Sequence, residues 1–332
     1  MRILTADHVR RVFTMRHAFD AVETAAVIHT LGKAEAPARH QVTTAHPKGE
    51  MLVMPGVVDG SLFGVKLWYR FETPPERMPQ SSACILLLDP VNGEEILLDG
   101  EVITDLRTGA LTGVAAVRLA DPAATEVGLV GAGTQARTQI LALVEAMPNV
   151  RRIRVFARNR HRLAAFVEAM RSEVDRTELA IDSVHSAEEA CMGADVLVAA
   201  TTSSEVVIHD AWVKDGALVC GVGSHDPASS ELDPATVARA EVVVVDTARG
   251  GIDGAGDISG PINSGALDRS QVLELGDLVS GARGWSRTSA GVAVFKSVGF
   301  AATDVVAASM VAERASRSDV GIKIDLHATS GP

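Results

Sequence analysis

Only three cysteines occur in the chain, Cys84, Cys191 and Cys220. They are scattered, match no CxxC or Cys/His metal spacing, and lie in or beside apolar segments such as SACILLLD and ALVCGVG. Buried reduced thiols are the expectation, which excludes a disulfide framework and a cysteine nucleophile. The 10 histidines are equally dispersed, so no metal site is expected. Positive charge is also short: 31 Lys+Arg face 42 Asp+Glu, a net charge of -11. That balance repels nucleic acid phosphates and anionic membrane surfaces, and neither is an expected partner. No apolar run approaches the ~18 residues that a spanning helix needs. The opening segment MRILTADHVRRVF lacks the apolar core of a signal peptide, so a cytoplasmic location is expected. No internal repeat or low-complexity segment is visible.

What is present is an ordinary globular composition, 47% hydrophobic and 22% charged, over 332 residues. Single cores stop growing near ~250–300 residues, so two domains are expected. Met15, Ala18, Val22, Ala25 and Ala26 form a helical stripe within 15–30. Strand-like segments follow at 51–55, 61–71 and 82–89, bounded by Gly, Pro and Asp turns, and predict a largely antiparallel sheet. From Val127 the rhythm changes to strand, helix, strand, with apolar runs at 194–201, 216–223 and 241–246. That alternation predicts a parallel sheet covered by helices, its strands buried on both faces. After a strand-like 291–297, the segment FAATDVVAASMVAERA reads as a helix that returns to the first domain. The glycine-rich stretch GGIDGAGDISGPINSG reads as a mobile connection, and the polar tail as partly loose.

Gly131, Ala132, Gly133, Thr134, Gln135 and Ala136 follow the strand EVGLV and open a helix, the context in which GxGxxG/A binds a dinucleotide. Gly131 permits the tight turn, Gly133 the approach of a pyrophosphate, and Ala136 close helix–strand packing. The helix N-terminus offers N–H groups to the phosphates. An NAD-preferring site places Asp or Glu ~20 residues later. Here Arg158, Asn159 and Arg160 stand in that place. A guanidinium there pairs with a 2′-phosphate, so NADP(H) is expected over NAD(H), with NAD(H) possible. The same arginines would serve equally as a solvated face.

Several segments together resemble the ornithine cyclodeaminase/mu-crystallin family: GEMLVMPGVVDGSLFGVKLWYRF, DGEVITDLRTGALTGVAAVRLA, VGLVGAGTQA, GVGSHDPASSELDP, and ELGDLVSG followed by VFKSVGFAATD. The resemblance runs from about Arg39 to about Ala308. It implies an α/β fold in which a Rossmann-type doubly wound parallel sheet (121–299) is joined to a second α+β domain for substrate binding and dimerisation (1–120 with 300–332). It also implies a homodimer acting on small amino or imino acids. Lys66 matches the family's catalytic lysine, Arg39 and Arg107 its carboxylate-binding arginines, and Met54 a residue lining the substrate pocket. Thr108 matches a cofactor-phosphate contact. Thr201, Thr202, Gly221, Val222 and Gly223 end strands at the cofactor edge, and Lys296, Ser297 and Gly299 match a segment near the nicotinamide.

One departure is informative. Ornithine cyclodeaminase carries an Asp directly after its glycine pair, where it assists ring closure. Aligned on Pro227 and Glu231, that position here is His225, and Asp226 stands one residue late. The resemblance therefore implies an NADP(H)-dependent reduction of a small 2-imino acid, or the reverse, with His225 or Asp226 setting the protonation state of the nitrogen. The alternatives are an ornithine cyclodeaminase that recycles NAD and a non-catalytic, crystallin-like NADPH-binding protein.

Overall fold

The computed structural model describes residues 1–37, 39–60, 62–74, 76–224, 226–288 and 290–326. The chain divides into two compact units, Met1–Arg107 together with Phe300–Pro332, and Thr108–Gly299. The division falls inside one helix.

The first unit opens with β1 (Arg2–Leu4), α1 (Ala6–Val12) and α2 (Met15–Thr30). The buried residues of α2 are Ala18, Ala21, Val22, Ala25 and Ala26, the stripe that its spacing predicts with Ala21 in place of the half-buried Met15. Then come β2 (Ala34–Glu35), β3 (His40–Ala45), β4 (Lys48–Val58), β5 (Leu62–Phe71), β6 (Ser81–Asp89), β7 (Glu94–Asp99) and α3 (Glu101–Leu119). Strand β4 is longer than its apolar pattern suggests because it continues through Pro55. Its neighbours on the free side, β3 and β2, pair with residues up to Val53 and from Val57 onward, so the missing N–H of Pro55 falls where no partner strand needs it.

The second unit alternates strands and helices: β8 (Glu126–Val130), α4 (Thr134–Ala146), β9 (Arg152–Phe156), α5 (Arg160–Glu173), β10 (Ala180–Ser183), α6 (Ala187–Cys191), β11 (Val196–Ala199), β12 (Leu218–Gly221), α7 (Pro234–Ala238), β13 (Val242–Val245), α8 (Gly256–Asn263), β14 (Val272–Glu274), α9 (Leu275–Ser280) and β15 (Ala293–Lys296). The chain then returns to the first unit as α10 (Ala301–Arg317) and β16 (Ile322–Lys323).

In the first unit the sheet order is β16-β1-β7-β6-β5-β4-β2, with β3 also on β4. Antiparallel pairing sets Met54 opposite Lys66 and Lys66 opposite Ile85, so these three share a face. Helix α10 lies on that face. A Cβ on Gly64 would stand 2.7 Å from the Cγ2 of Val305, so only glycine admits the helix this close. Residues Ala301 through Ala308 of α10 are all buried, which makes its N-terminal half a core helix.

In the second unit the order is β10-β9-β8-β11-β12-β15-β13-β14, and the pairs are parallel. Val196–Ala199 and Val242–Val245 are buried along their whole length, as strands covered on both faces must be. The order reverses between β8 and β11, the switch point beside which such sheets bind ligands at their strand carboxyl ends. The glycine-rich stretch expected to be mobile is instead ordered: Ala248–Ile252 forms a helical turn and α8 follows, with Asp257 buried at its start.

Candidate active site

The second unit's strand ends carry one group of the candidate residues. Gly131 follows β8 with φ +127, and a Cβ there would lie 2.2 Å from the carbonyl oxygen of Ala200 after β11. Any side chain would force the two switch-point strands apart. Gly133 is different: a Cβ on it would meet nothing within 4 Å, so the space above the turn is open. Gly133 also N-caps α4, and as a glycine it brings no side-chain cap to that helix end. A turn that demands glycine, an open cradle and an uncapped helix N-terminus are what a pyrophosphate requires, and a dinucleotide fits these residues. Ala136 is fully buried against the sheet, and Thr134 is exposed. Beyond β9, Arg158 and Asn159 are exposed; Asn159 Oδ1 accepts from the N–H of Arg162 and caps α5.

Buried carboxylates hold the neighbouring loops. Glu231, fully buried, accepts from Thr201 N (2.8 Å), Thr201 Oγ1 (2.7 Å), Gly223 N (2.6 Å) and Ser224 N (2.9 Å), tying the end of β11 to the end of β12. Asp257 accepts from the N–H groups of Glu231 and Leu232 and pairs with Lys296 Nζ at 2.7 Å. Asp246 accepts from Ser297 Oγ, Val298 N and Gly299 N, which fixes β15 beside β13. Burial pushes the Asp246 carboxyl above its usual range, in spite of the donors it accepts from.

These contacts place the other residues singled out from the sequence. Lys296 and Ser297, expected near the nicotinamide, turn inward: both side chains are buried and engaged by Asp257 and Asp246. Their charge and hydroxyl hold strand ends. Thr201 spends its hydroxyl on Glu231, whereas Thr202 is exposed. Gly221 and Val222 are buried in and just after β12. Thr108 is buried, and its carbonyl accepts from Gln139 Nε2. Asp226 is exposed, and its Oδ1 closes a local turn by accepting from Ala228 N. His225 lies outside the described residues.

The first unit holds a group of its own. Lys66, on β5, is 3% exposed, and its Nζ lies 2.7 Å from Asp304 Oδ2. Arg107, on α3, is 6% exposed and donates from Nε to Asp304 Oδ1 at 3.1 Å. Asp304, one turn into α10, is 2% exposed. Burial lowers the Lys66 pKa to about 8; Asp304 opposes the shift, and Arg107 and Arg39 add to it. Burial alone would raise Asp304, but Arg107 and Lys66 outweigh it and hold the carboxyl below its usual range. The cluster is two cations to one anion. Arg39 is half-buried and contributes positive potential at Lys66, and Met54 stands in register beside the lysine.

Asp304 is the residue that sequence reasoning missed. It stands in a run of small and branched apolar residues, AATDVVAA, on a helix whose neighbouring positions are all buried. A lone carboxylate in such a stripe requires a buried cation, and that is the signal that points to it.

An eight-stranded parallel doubly wound sheet with a glycine turn at its switch point, joined to a unit with a buried cation cluster, defines a Rossmann-type protein with a second α+β unit. The model of the ornithine cyclodeaminase/mu-crystallin family matches residues 1–319, and the chain belongs to that family. Among its relatives is a Delta(1)-pyrroline-2-carboxylate reductase of Bacillus cereus, 29% identical over 332 residues, covering 98% of this chain and 100% of the relative. Among solved structures, the Thermococcus litoralis Delta(1)-pyrroline-2-carboxylate reductase in complex with NADH and L-proline is 32% identical, with a TM-score of 0.88 over 98% of this chain and 100% of that one. An archaeal alanine dehydrogenase dimer with bound NAD is 28% identical, with a TM-score of 0.88 over 98% and 99%.

The carboxylate network carries a prediction. Glu231→Ala strands four donors inside the strand-end loops, each costing ~1–3 kcal/mol when buried and unpaired. Water entering the vacated space offsets part of this, and a net loss of about 3 kcal/mol or more is expected, read as a lower thermal midpoint. A midpoint within about 1 °C of the parent would show that Glu231 does not hold these loops.

Proposed function

We propose that this protein is an NAD(P)H-dependent oxidoreductase that reduces a small 2-imino acid, a ketimine or a cyclic imine such as pyrroline-2-carboxylate, to the amino acid, or runs the reverse. The observation that carries this reading is the buried Lys66–Asp304–Arg107 cluster. A fold does not need two cations and one carboxylate in its core, since burying charge costs several kcal/mol per ion. An excess of buried positive charge suits a ligand that brings a carboxylate.

Imine reduction needs three things: a grip on the carboxylate, a proton for the nitrogen and a hydride for the alpha carbon. Arg107, with Arg39, supplies the grip through planar forks. Lys66 supplies the proton. With a pKa of about 8 it carries that proton at neutral pH and yet gives it up readily, as a general acid must. As the N–H bond forms, Lys66 becomes the neutral amine and is reprotonated from solvent. Gly131–Ala136 would hold the pyrophosphate of a reduced nicotinamide dinucleotide, which would supply the hydride. Met54 would pack against the substrate's apolar part.

Arg158 supports a preference for NADP(H). It is exposed just past β9, and no Asp or Glu lies in 157–162 to receive a ribose hydroxyl pair. A cyclodeaminase is less well supported, because the Asp226 carboxylate closes its own loop. A homodimer is supported by the sheet face opposite α10. There Pro55, Val57, Phe63, Val65, Leu86 and Leu88 form an apolar patch, with Phe63 47% and Leu88 39% exposed. A patch of this kind on a sheet suits a second copy.

Four measurements test this reading. A panel of cyclic imino acids, 2-oxo acids with ammonia, and ornithine, each with either nicotinamide, should show loss of reduced-nicotinamide absorbance with an imino acid. Lys66→Ala should lower kcat by roughly 10²–10⁴-fold while leaving cofactor affinity within about twofold. Surviving turnover would remove Lys66 from the chemistry, and ammonia release from ornithine without net absorbance change would favour the cyclodeaminase. NADPH should bind more tightly than NADH, with Arg158→Ala weakening NADPH alone by about tenfold or more; equal losses for both would refute the arginine's role. The parent should sediment as a dimer and a Phe63→Glu, Leu88→Glu variant as a monomer, whereas a monomeric parent would exclude the interface.

A further inference from the structure

Asp304 does more than neutralise charge. Its two oxygens are divided between two partners on different elements, Oδ2 to Lys66 on β5 and Oδ1 to Arg107 on α3, while the carboxylate itself comes from α10. All three side chains are more than nine-tenths buried. We propose that Asp304 is the positioning residue of the reaction: its bridging carboxylate fixes the proton donor Lys66 and the carboxylate clamp Arg107 in one geometry and keeps Lys66 loaded with its proton. This rests on the reading of Lys66 as the proton donor.

The geometry supports each part. Without a carboxylate between them, two buried cations would repel each other, and both side chains are long enough to swing apart. The bridge offsets that repulsion and leaves each with one orientation. Arg107 meets Asp304 through Nε, so the contact does not occupy its Nη1–Nη2 edge, the edge that grips a carboxylate bidentately. The charged groups acting on Lys66 are Asp304 from α10, Arg107 from α3 and Arg39 from the segment before β3. Of these only Asp304 favours the ammonium form. With its charge removed, burial and two guanidinium groups would all drive the proton off Lys66. The donor would then be empty at the pH at which it must act.

The test compares the full-length parent with Asp304→Asn and Asp304→Glu by two readouts. The first is an NMR titration of protein whose lysines carry 13C at Cε, with the Lys66 resonance assigned by its loss in Lys66→Met. The second is the pH profile of kcat. In the parent, Lys66 should titrate near 8. Because the donor must be protonated, kcat should fall as pH rises through that value. In Asp304→Asn the midpoint and the alkaline limb should move together to lower pH by about two units or more, and kcat at pH 7 should drop about 10–100-fold. Asp304→Glu keeps the charge but displaces it by a methylene, so the midpoint should stay within about half a unit while kcat falls several-fold. An Asn variant that titrates like the parent would overturn the proposal. Should the Asn variant fail to fold, the Glu variant decides, since an unchanged kcat or a displaced midpoint would overturn it. The NMR titration needs no turnover. A parent that reduced no imine would refute the proposed function, while the titration would still decide on Asp304.

Discussion

The first unit depends on one interaction, the bridge from Asp304 to Lys66 and Arg107. Three charged side chains from α10, β5 and α3 meet where water is excluded, and each would be untenable alone. Removing one partner of such a buried pair costs roughly 3–5 kcal/mol in general, so the cluster constrains how α10 can lie on its sheet. Gly64, which lets Val305 approach the sheet closely, sits two residues before Lys66 on the same face. Packing and electrostatics here serve the same contact. The result is a lysine whose proton is held loosely, next to a buried guanidinium that shares its carboxylate.

The second unit solves a different problem with similar means. Strand carboxyl ends in a parallel sheet bring loops together with their backbone N–H groups exposed, and a binding surface needs those loops rigid. Glu231, Asp246 and Asp257 each collect several of these donors, so the ends of β11, β12, β13 and β15 are fixed from below. The glycine turn at Gly131 and the uncapped start of α4 are left open to a ligand. Lys296 belongs to the rigid layer: its charge is spent on Asp257, which also receives the backbone of Glu231 and Leu232.

Much of this was legible in the sequence wherever the signal is local. The period of 15–30 gives α2, the branched apolar runs give the buried parallel strands, and the glycine spacing after EVGLV gives the dinucleotide turn. The family resemblance singles out Lys66 and Arg107, which the structure brings onto one carboxylate. What was not legible is who partners whom over long separations. Arg107 and Asp304 are 197 residues apart, and no periodicity relates them. The carboxylates Glu231, Asp246 and Asp257 read locally as ordinary polar residues near turns, and only tertiary contact shows that each is a hub. The stretch 250–265 misled because its glycines read as freedom, whereas Gly251 packs against Val245 and Asp257 anchors the helix that begins beside it. Met54 and Arg39 were placed by resemblance; register and charge now put both beside Lys66.

The most direct measurement is a crystal structure of the protein with oxidised dinucleotide and an amino acid product such as proline. The expected result is a ligand carboxylate held on the Nη1–Nη2 edge of Arg107 and a ligand nitrogen within hydrogen-bond distance of Lys66 Nζ, with Asp304 still bridging the two. A ligand bound elsewhere, with Lys66 still sealed against Asp304 and out of reach of its nitrogen, would contradict the reductive role assigned to this cluster.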